Sequence, residues 1–163
     1  MKIFIGADHA GFDAKEKLKV FLGDQGYEVV DYGAFTFDQN DDFPDFVKAV
    51  ARAVSVEDGS RGLILGGSGF GEAMCANRTK GVRALVFYGP MLAKTAVDLE
   101  GRESTDPYET IKLSRMHNNS NVLSLGMRFM FDDQCKEAVV TFLNTAFSNS
   151  ERHIRRLAKM EQD

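Results

Sequence analysis

A run of glycines broken by a serine and a phenylalanine, Gly66-Gly67-Ser68-Gly69-Phe70-Gly71, ends on an acid, Glu72. Glycines let main-chain N–H groups turn inward, and a helix that follows adds its partial positive charge. Residues 67 to 71 can therefore hold a phosphate or an oxyanion that develops during a reaction, and glycines alone do not choose between them. A carboxylate in the first turn of that helix can act as base and oxyanion partner together. The structural alternative is that Glu72 only complements the helix dipole, as first-turn acids commonly do. Ser68 can relay a proton or satisfy a loop N–H. The spacing is not G-x-G-x-x-G, does not follow the first strand and lacks the Walker lysine, so dinucleotide and P-loop sites are excluded.

Two further groups carry chemistry-bearing residues. Asp8 and His9 lie in Gly6-Ala7-Asp8-His9-Ala10-Gly11, where Asp8 either braces a turn or faces a ligand. Arg152 and Arg156 are four apart on one helical face, and their guanidinium forks suit phosphate oxygens, although such basic stripes often only face water. Of the 3 histidines, His117 precedes an apolar run and so stands at the amino end of a strand, away from the crevice at that strand's carboxyl end. It is either a surface histidine or a residue that completes the site of a neighbouring subunit. Cys75 and Cys135 lack metal-ligand spacing and read as small buried hydrophobes.

The elements that must position these residues follow from hydrophobic patterning. Apolar, β-branched runs at 2–5, 27–32, 63–65, 82–87 and 122–125 are each followed by a glycine-containing turn and mostly by a helical pattern. The first helix repeats Ala14, Leu18, Phe21 and Leu22; the second opens with Asp42 as cap and Pro44, and repeats Phe43, Phe46, Val47, Val50 and Val54. The fifth follows Asp132-Asp133 and repeats Cys135, Val139, Phe142, Leu143 and Ala146. Strand and helix in alternation predict a single α/β domain, a Rossmann-like three-layer α/β/α sandwich around a five-stranded parallel sheet. The segment 91–108 reads as an insertion, and 151–162 as a C-terminal helix. In such sheets ligands bind outside the carboxyl ends of the strands, where Asp8, Glu72 and the Gly126-Met127-Arg128 turn converge.

Composition narrows the function. A chain of 163 residues, 44% hydrophobic and 27% charged, suits one domain that buries roughly 70% of its unfolded surface without staples. A net charge of −4 argues against a nucleic-acid partner, and no stretch reaches the ~18 apolar residues of a membrane span. The cysteine usage and the opening residues, which lack a long apolar stretch, fit a soluble cytoplasmic protein.

Five ordered blocks carry a resemblance: Gly6 to Phe12, Asp42-Phe43-Pro44, Gly66 to Glu72 continuing through Ala76-Asn77, His117 to Leu123, and Arg152-His153-Ile154-Arg155-Arg156. Together they resemble the type B ribose-5-phosphate isomerase family, which also contains galactose-6-phosphate and allose-6-phosphate isomerases. The resemblance implies a homodimer, or a dimer of dimers, with active sites shared between subunits. It implies metal-independent, cofactor-free interconversion of ribose 5-phosphate and ribulose 5-phosphate through a cis-enediolate. By that likeness Glu72 moves the proton between C2 and C1. The N–H groups of Gly67, Ser68, Gly69, Phe70 and Gly71 and the Ser68 hydroxyl stabilise the oxygens, and His117 of the partner opens the sugar ring. Asp8, His9 and Asn118 hold the sugar, and Arg128, Arg152 and Arg156 its phosphate. Many members of the family carry a cysteine base where this chain has Gly66, so the chain looks like the subgroup whose base is a glutamate. Phe43 replaces a common tyrosine. The alternatives are the same chemistry on a six-carbon phosphosugar, or a non-catalytic sugar-phosphate-binding subunit.

Overall fold

Alternation along a strand decides which face each residue serves, and β1 (Lys2–Ala7) shows it most clearly. Ile3, Ile5 and Ala7 enter one core with Leu18 and Leu22, whereas Phe4 enters a second core with Val47, Val50 and Val54. A computed structural model, describing residues 1–162, places five parallel strands in the order β2-β1-β3-β5-β4. They are β1, β2 (Glu28–Asp31), β3 (Arg61–Gly66), β4 (Ala84–Phe87) and β5 (Val122–Gly126). Helices α1 (Phe12–Asp24), α4 (Glu109–Asn118) and α5 (Asp132–Asn144) bury apolar residues in the first core, and α2 (Phe43–Val56) and α3 (Phe70–Ala76) in the second. The predicted three-layer α/β sandwich is the observed one. Leu63, Leu65, Leu123 and Leu125 have no exposed surface; a leucine so enclosed is worth about 2–5 kcal/mol against alanine.

The strand order matters for function because the chain turns to opposite sides of the sheet after β1 and after β3. That reversal opens a crevice at the carboxyl ends of β1 and β3, the position where open parallel sheets bind ligands. The loops entering it are held by main-chain bonds across the strand ends: Met127 N–H donates to Gly66 C=O (2.9 Å) and Arg128 N–H to Gly67 C=O (3.1 Å).

Several local expectations change. Asp42 occupies the N-cap position of α2, but its side chain makes no capping hydrogen bond. β4 begins at Ala84 rather than Val82, and α5 ends at Asn144, which leaves Ala146 exposed outside the predicted stripe. Cys135 is buried as expected, while Cys75 is half-buried at the edge of the second core, because α3 packs Ala73 and Ala76 inward and turns Met74 outward. Helix α6 (Glu151–Met160) ends two residues before the predicted boundary and has no buried residue.

Candidate active site

The loop after β1 is built by Asp8. Its Oδ1 accepts the N–H groups of Ala10 (2.9 Å) and Gly11 (3.2 Å), closing the turn into α1. Asp8 also lies in the wall of the crevice. Gly11 must be glycine, since a Cβ there would lie 2.5 Å from Leu65 Cβ. Across the switch point, β3 runs out at Gly66 and the chain reverses through Gly69, at φ +81°, into α3. The Gly69 carbonyl accepts the Ser124 hydroxyl (2.6 Å), tying the loop to β5.

Glu72, in the first turn of α3, points back over this loop. A Cβ built on Gly66 would lie 1.6 Å from Glu72 Oε1 and 2.4 Å from its Cδ. The carboxylate thus occupies the space into which any side chain at position 66 would project. Glu72 is only 4% exposed, and burial pushes its pKa above the usual carboxylate range, with the neighbouring Asp8 charge acting in the same direction. The main-chain N–H groups of Glu72 and Gly67 and the Arg128 guanidinium oppose that rise. Asp8 is likewise raised, chiefly by burial.

The crevice around these acids measures about 280 Å³ and is lined by Asp8, His9, Ser68, Glu72, Arg128 and Phe43, with Gly67 and Gly71 in its floor. Phe43 lies over Gly71, where an added Cβ would be 3.0 Å from the ring. Arg128 lies over Gly67 in the same way, at 3.2 Å. Ser68 is half-buried with its hydroxyl accepting the Phe70 N–H at 3.4 Å. Gly69 and the Phe70 ring do not line the crevice; Phe70 stacks outward on Tyr88 at 5.5 Å, and Tyr88 contacts Phe129 at 6.4 Å.

Two contributors escaped the sequence reading. Phe129 follows Arg128 into the crevice wall. Asp41 Oδ1 accepts both the main-chain N–H of His9 (3.0 Å) and its Nδ1 (2.7 Å), while Asp41 Oδ2 is buried without a partner. At a separation of 32 positions, no local spacing announces this pair. Asp8, His9 and Asp41 also form the one group of three potential metal ligands found among the described residues, with atoms within 4.8 Å of one another. Hydrogen bonds already employ Asp8 Oδ1, Asp41 Oδ1 and His9 Nδ1.

His117 is elsewhere. On the last turn of α4 its ring stacks on His153 at 4.3 Å, and His153 Nδ1 is 2.8 Å from the Ser148 hydroxyl. These two histidines line a second hollow of about 470 Å³ with Arg152, Arg156, Asp98 and Glu100. Burial lowers the His117 pKa, His153 and the arginines Arg102 and Arg152 lower it further, and Asp98 opposes them. The two hollows share no lining residue. Asn118, exposed at the end of α4, faces a third cavity beside Arg83 and Met160 rather than either hollow. Arg128 is with Glu72 and not with Arg152 and Arg156.

A buried carboxylate over a glycine loop, at the switch point of a parallel sheet, is an arrangement that suits α/β enzymes moving protons on small substrates. Within that class the chain belongs to the Ribose/Galactose Isomerase family, whose model matches residues 3–101 and 104–160. It is 32% identical over 157 residues to ribose-5-phosphate isomerase B of Mycolicibacterium paratuberculosis, covering 96% of this chain and 87% of that protein. Against ribose-5-phosphate isomerase B of Escherichia coli the identity is 31%, covering 96% and 91%. The crystal structure of ribose-5-phosphate isomerase B from Mycoplasma genitalium, with bound ribulose-5-phosphate, superposes with a TM-score of 0.84 at 35% identity, covering 98% of this chain and 93% of that one. Among the described residues no helix is long and apolar enough to cross a membrane.

Proposed function

We propose that this chain is an aldose–ketose isomerase that interconverts ribose 5-phosphate and ribulose 5-phosphate, with Glu72 as the base. The observation that carries the reading is the carboxylate lying in the space above Gly66. The family resemblance implies a cysteine base at position 66 in many members; position 66 here is glycine, and the Glu72 carboxylate from α3 fills the space above it. Glu72 takes the proton from C2 of the open-chain aldose, the C1 carbonyl oxygen gains the negative charge, and the resulting cis-enediolate is reprotonated at C1. The Ser68 hydroxyl, at the lip of the crevice, is placed to pass the remaining proton from O2 to O1. In this reading the main chain of Gly67, Ser68 and Gly71, which lines the crevice, supplies the N–H groups for the oxygen that gains charge. A carboxyl held above its ordinary pKa is a stronger base when ionised and a usable acid when protonated, as a shuttle between two carbons requires.

The separation of the hollows supports a homodimer with shared sites. Glu72 lacks the arginine pair, and Arg152, Arg156 and His117 lack the carboxylate set over a glycine loop, so a two-fold related copy supplies what each hollow misses. The exposed apolar side chains at the crevice rim and on α6, Phe70 (47%), Phe129 (62%), Ile154 (50%) and Met160 (65%), suit burial against that copy. His117 of the partner then protonates the ring oxygen, and Arg152 and Arg156 of the partner hold the phosphate.

The test is an isomerase assay in D₂O with ribose 5-phosphate, galactose 6-phosphate and allose 6-phosphate. Turnover of the pentose with solvent deuterium at the migrating position is expected. Preference for a six-carbon substrate would overturn the pentose assignment, and strict retention of the substrate hydrogen would overturn proton transfer through Glu72.

A further inference from the structure

The segment 91–108 contains neither helix nor strand, yet it is firmly built. Its base is closed by Met91 N–H donating to Pro107 C=O (2.9 Å). At its tip Val97 N–H donates to Arg102 C=O (2.8 Å), and Gly101 makes the reversal at φ +81°. Asp98 accepts the Arg102 main-chain N–H (2.9 Å) on one oxygen and Arg102 Nε (3.0 Å) on the other. The far end of the same guanidinium donates to Glu109 Oε1 (2.6 Å), whose second oxygen accepts the Ser104 hydroxyl (2.7 Å). Glu109 is only 3% exposed and opens α4, the helix that carries His117 about two turns later. Asp98 is therefore fixed, through Arg102 and Glu109, to the element that presents His117, and it lines the same hollow.

We propose that Asp98 is a positioning residue for His117, a carboxylate brought by the segment 91–108 into the active site of the neighbouring subunit, where it keeps the imidazole ready for ring opening. The inference rests on the reading of His117 as the ring-opening acid. In that step the C1 hydroxyl proton leaves to solvent, the C1 carbonyl forms, the bond from C1 to the ring oxygen breaks, and the imidazolium N–H protonates the departing oxygen. The imidazole must carry its proton beforehand. The surroundings work against this: α6 presents Arg152, His153 and Arg156, the turn presents Arg102, and the hollow is partly desolvated. The acids facing the hollow are Asp98 and Glu100, and Asp98 acts directly against the loss of the His117 proton. Its double tie to Arg102 fixes the direction of its carboxylate.

The test compares Asp98→Asn with the unaltered enzyme on ribose 5-phosphate and on 4-deoxyribose 5-phosphate, an aldose that cannot close a furanose ring. On the ring-forming substrate kcat/KM is expected to fall roughly ten-fold at neutral pH. The alkaline limb of its pH profile should move to lower pH, because removing a negative charge lets the imidazole lose its proton sooner. On the deoxy substrate the rate should be unchanged. Asp98→Glu, which restores the charge, should return the limb toward its original position. Equal losses on both substrates, or an unmoved limb, would overturn the positioning role while leaving the isomerase reading intact. His117→Ala is the control. If it fails to distinguish the two substrates, the ring-opening assignment and this inference fall together, and an intact Glu72-dependent rate on the deoxy substrate shows that the isomerase reading stands.

Discussion

The two hollows of this molecule are opposites. The crevice at β1 and β3 is narrow and built on main chain, with two buried acids whose pKa values rise because water is excluded. The hollow under α6 is wider and built from side chains, and there burial first, then His153 and the nearby arginines, lower the His117 pKa. A base that works by proximity to amides needs rigid, close backbone, which glycines and strand ends supply. A phosphate needs reach and forked donors, which arginines on an amphipathic helix supply. The difference teaches that the buried acids and the arginine pair occupy separate hollows on one chain, and that the proposed homodimer is what joins them.

The comparison breaks first at Glu72. Glu72→Gln keeps the shape and removes the base, so kcat should fall by about 10²-fold or more with KM little changed. His117→Ala damages the other hollow. If sites are shared, unfolding and refolding the two inactive chains together should create dimers in which one site carries both changes and the other neither. Recovery of up to about a quarter of the wild-type rate is expected from statistical mixing. No recovery, with dimers shown to exchange, would place both halves of each site on a single chain.

The second prediction concerns Gly66. An alanine Cβ there collides with Glu72 Oε1, which is the far end of a flexible side chain and can move away. Gly66→Ala should therefore leave the thermal stability nearly unchanged and lower kcat about as far as Glu72→Gln does. Full activity in this variant would show that the carboxylate acts from another position.

How much of this was legible depends on which force built each part. The strands β1, β3 and β5 are buried apolar runs, and their neighbours in sequence reveal them. The glycine loop and Glu72 were legible because backbone chemistry leaves a local signature. Helix α4 was not, because its inward face holds Glu109, Ser114 and Arg115 beside a single isoleucine, Ile111. Arg115, 2% exposed, is accommodated by the Thr145 carbonyl and the Asn119 side chain, partners that no periodicity displays. The pairing of Asp41 with His9 was hidden for the same reason, being a contact across the fold rather than along the chain. Spacing gave the opposite edge for His117, but the stack on His153 and the approach of Asp98 depend on how α6 and the segment 91–108 fold back.

The smallest effect separates what the crevice does from what it costs. Because the folded-state pKa of Glu72 is raised, its contribution to stability is fully present below the unfolded carboxylate pKa of about 4.3 and is lost as pH rises through the folded value. At neutral pH the ionised carboxylate, beside the equally desolvated Asp8, therefore opposes folding. Glu72→Gln removes that charge and also relieves Asp8. The inactive variant should melt a few degrees above the wild type at pH 7, and the gap should close as pH falls below 4. In the arginine hollow the sign reverses for an added anion: phosphate should raise the melting temperature of the wild type and of Glu72→Gln alike, since Arg152 and Arg156 are intact in both. A Glu72→Gln variant less stable than the wild type at neutral pH would mean that Arg128 and the loop amides more than compensate the buried charge. The crevice would then be a settled ion-binding site rather than one held under electrostatic tension for proton transfer.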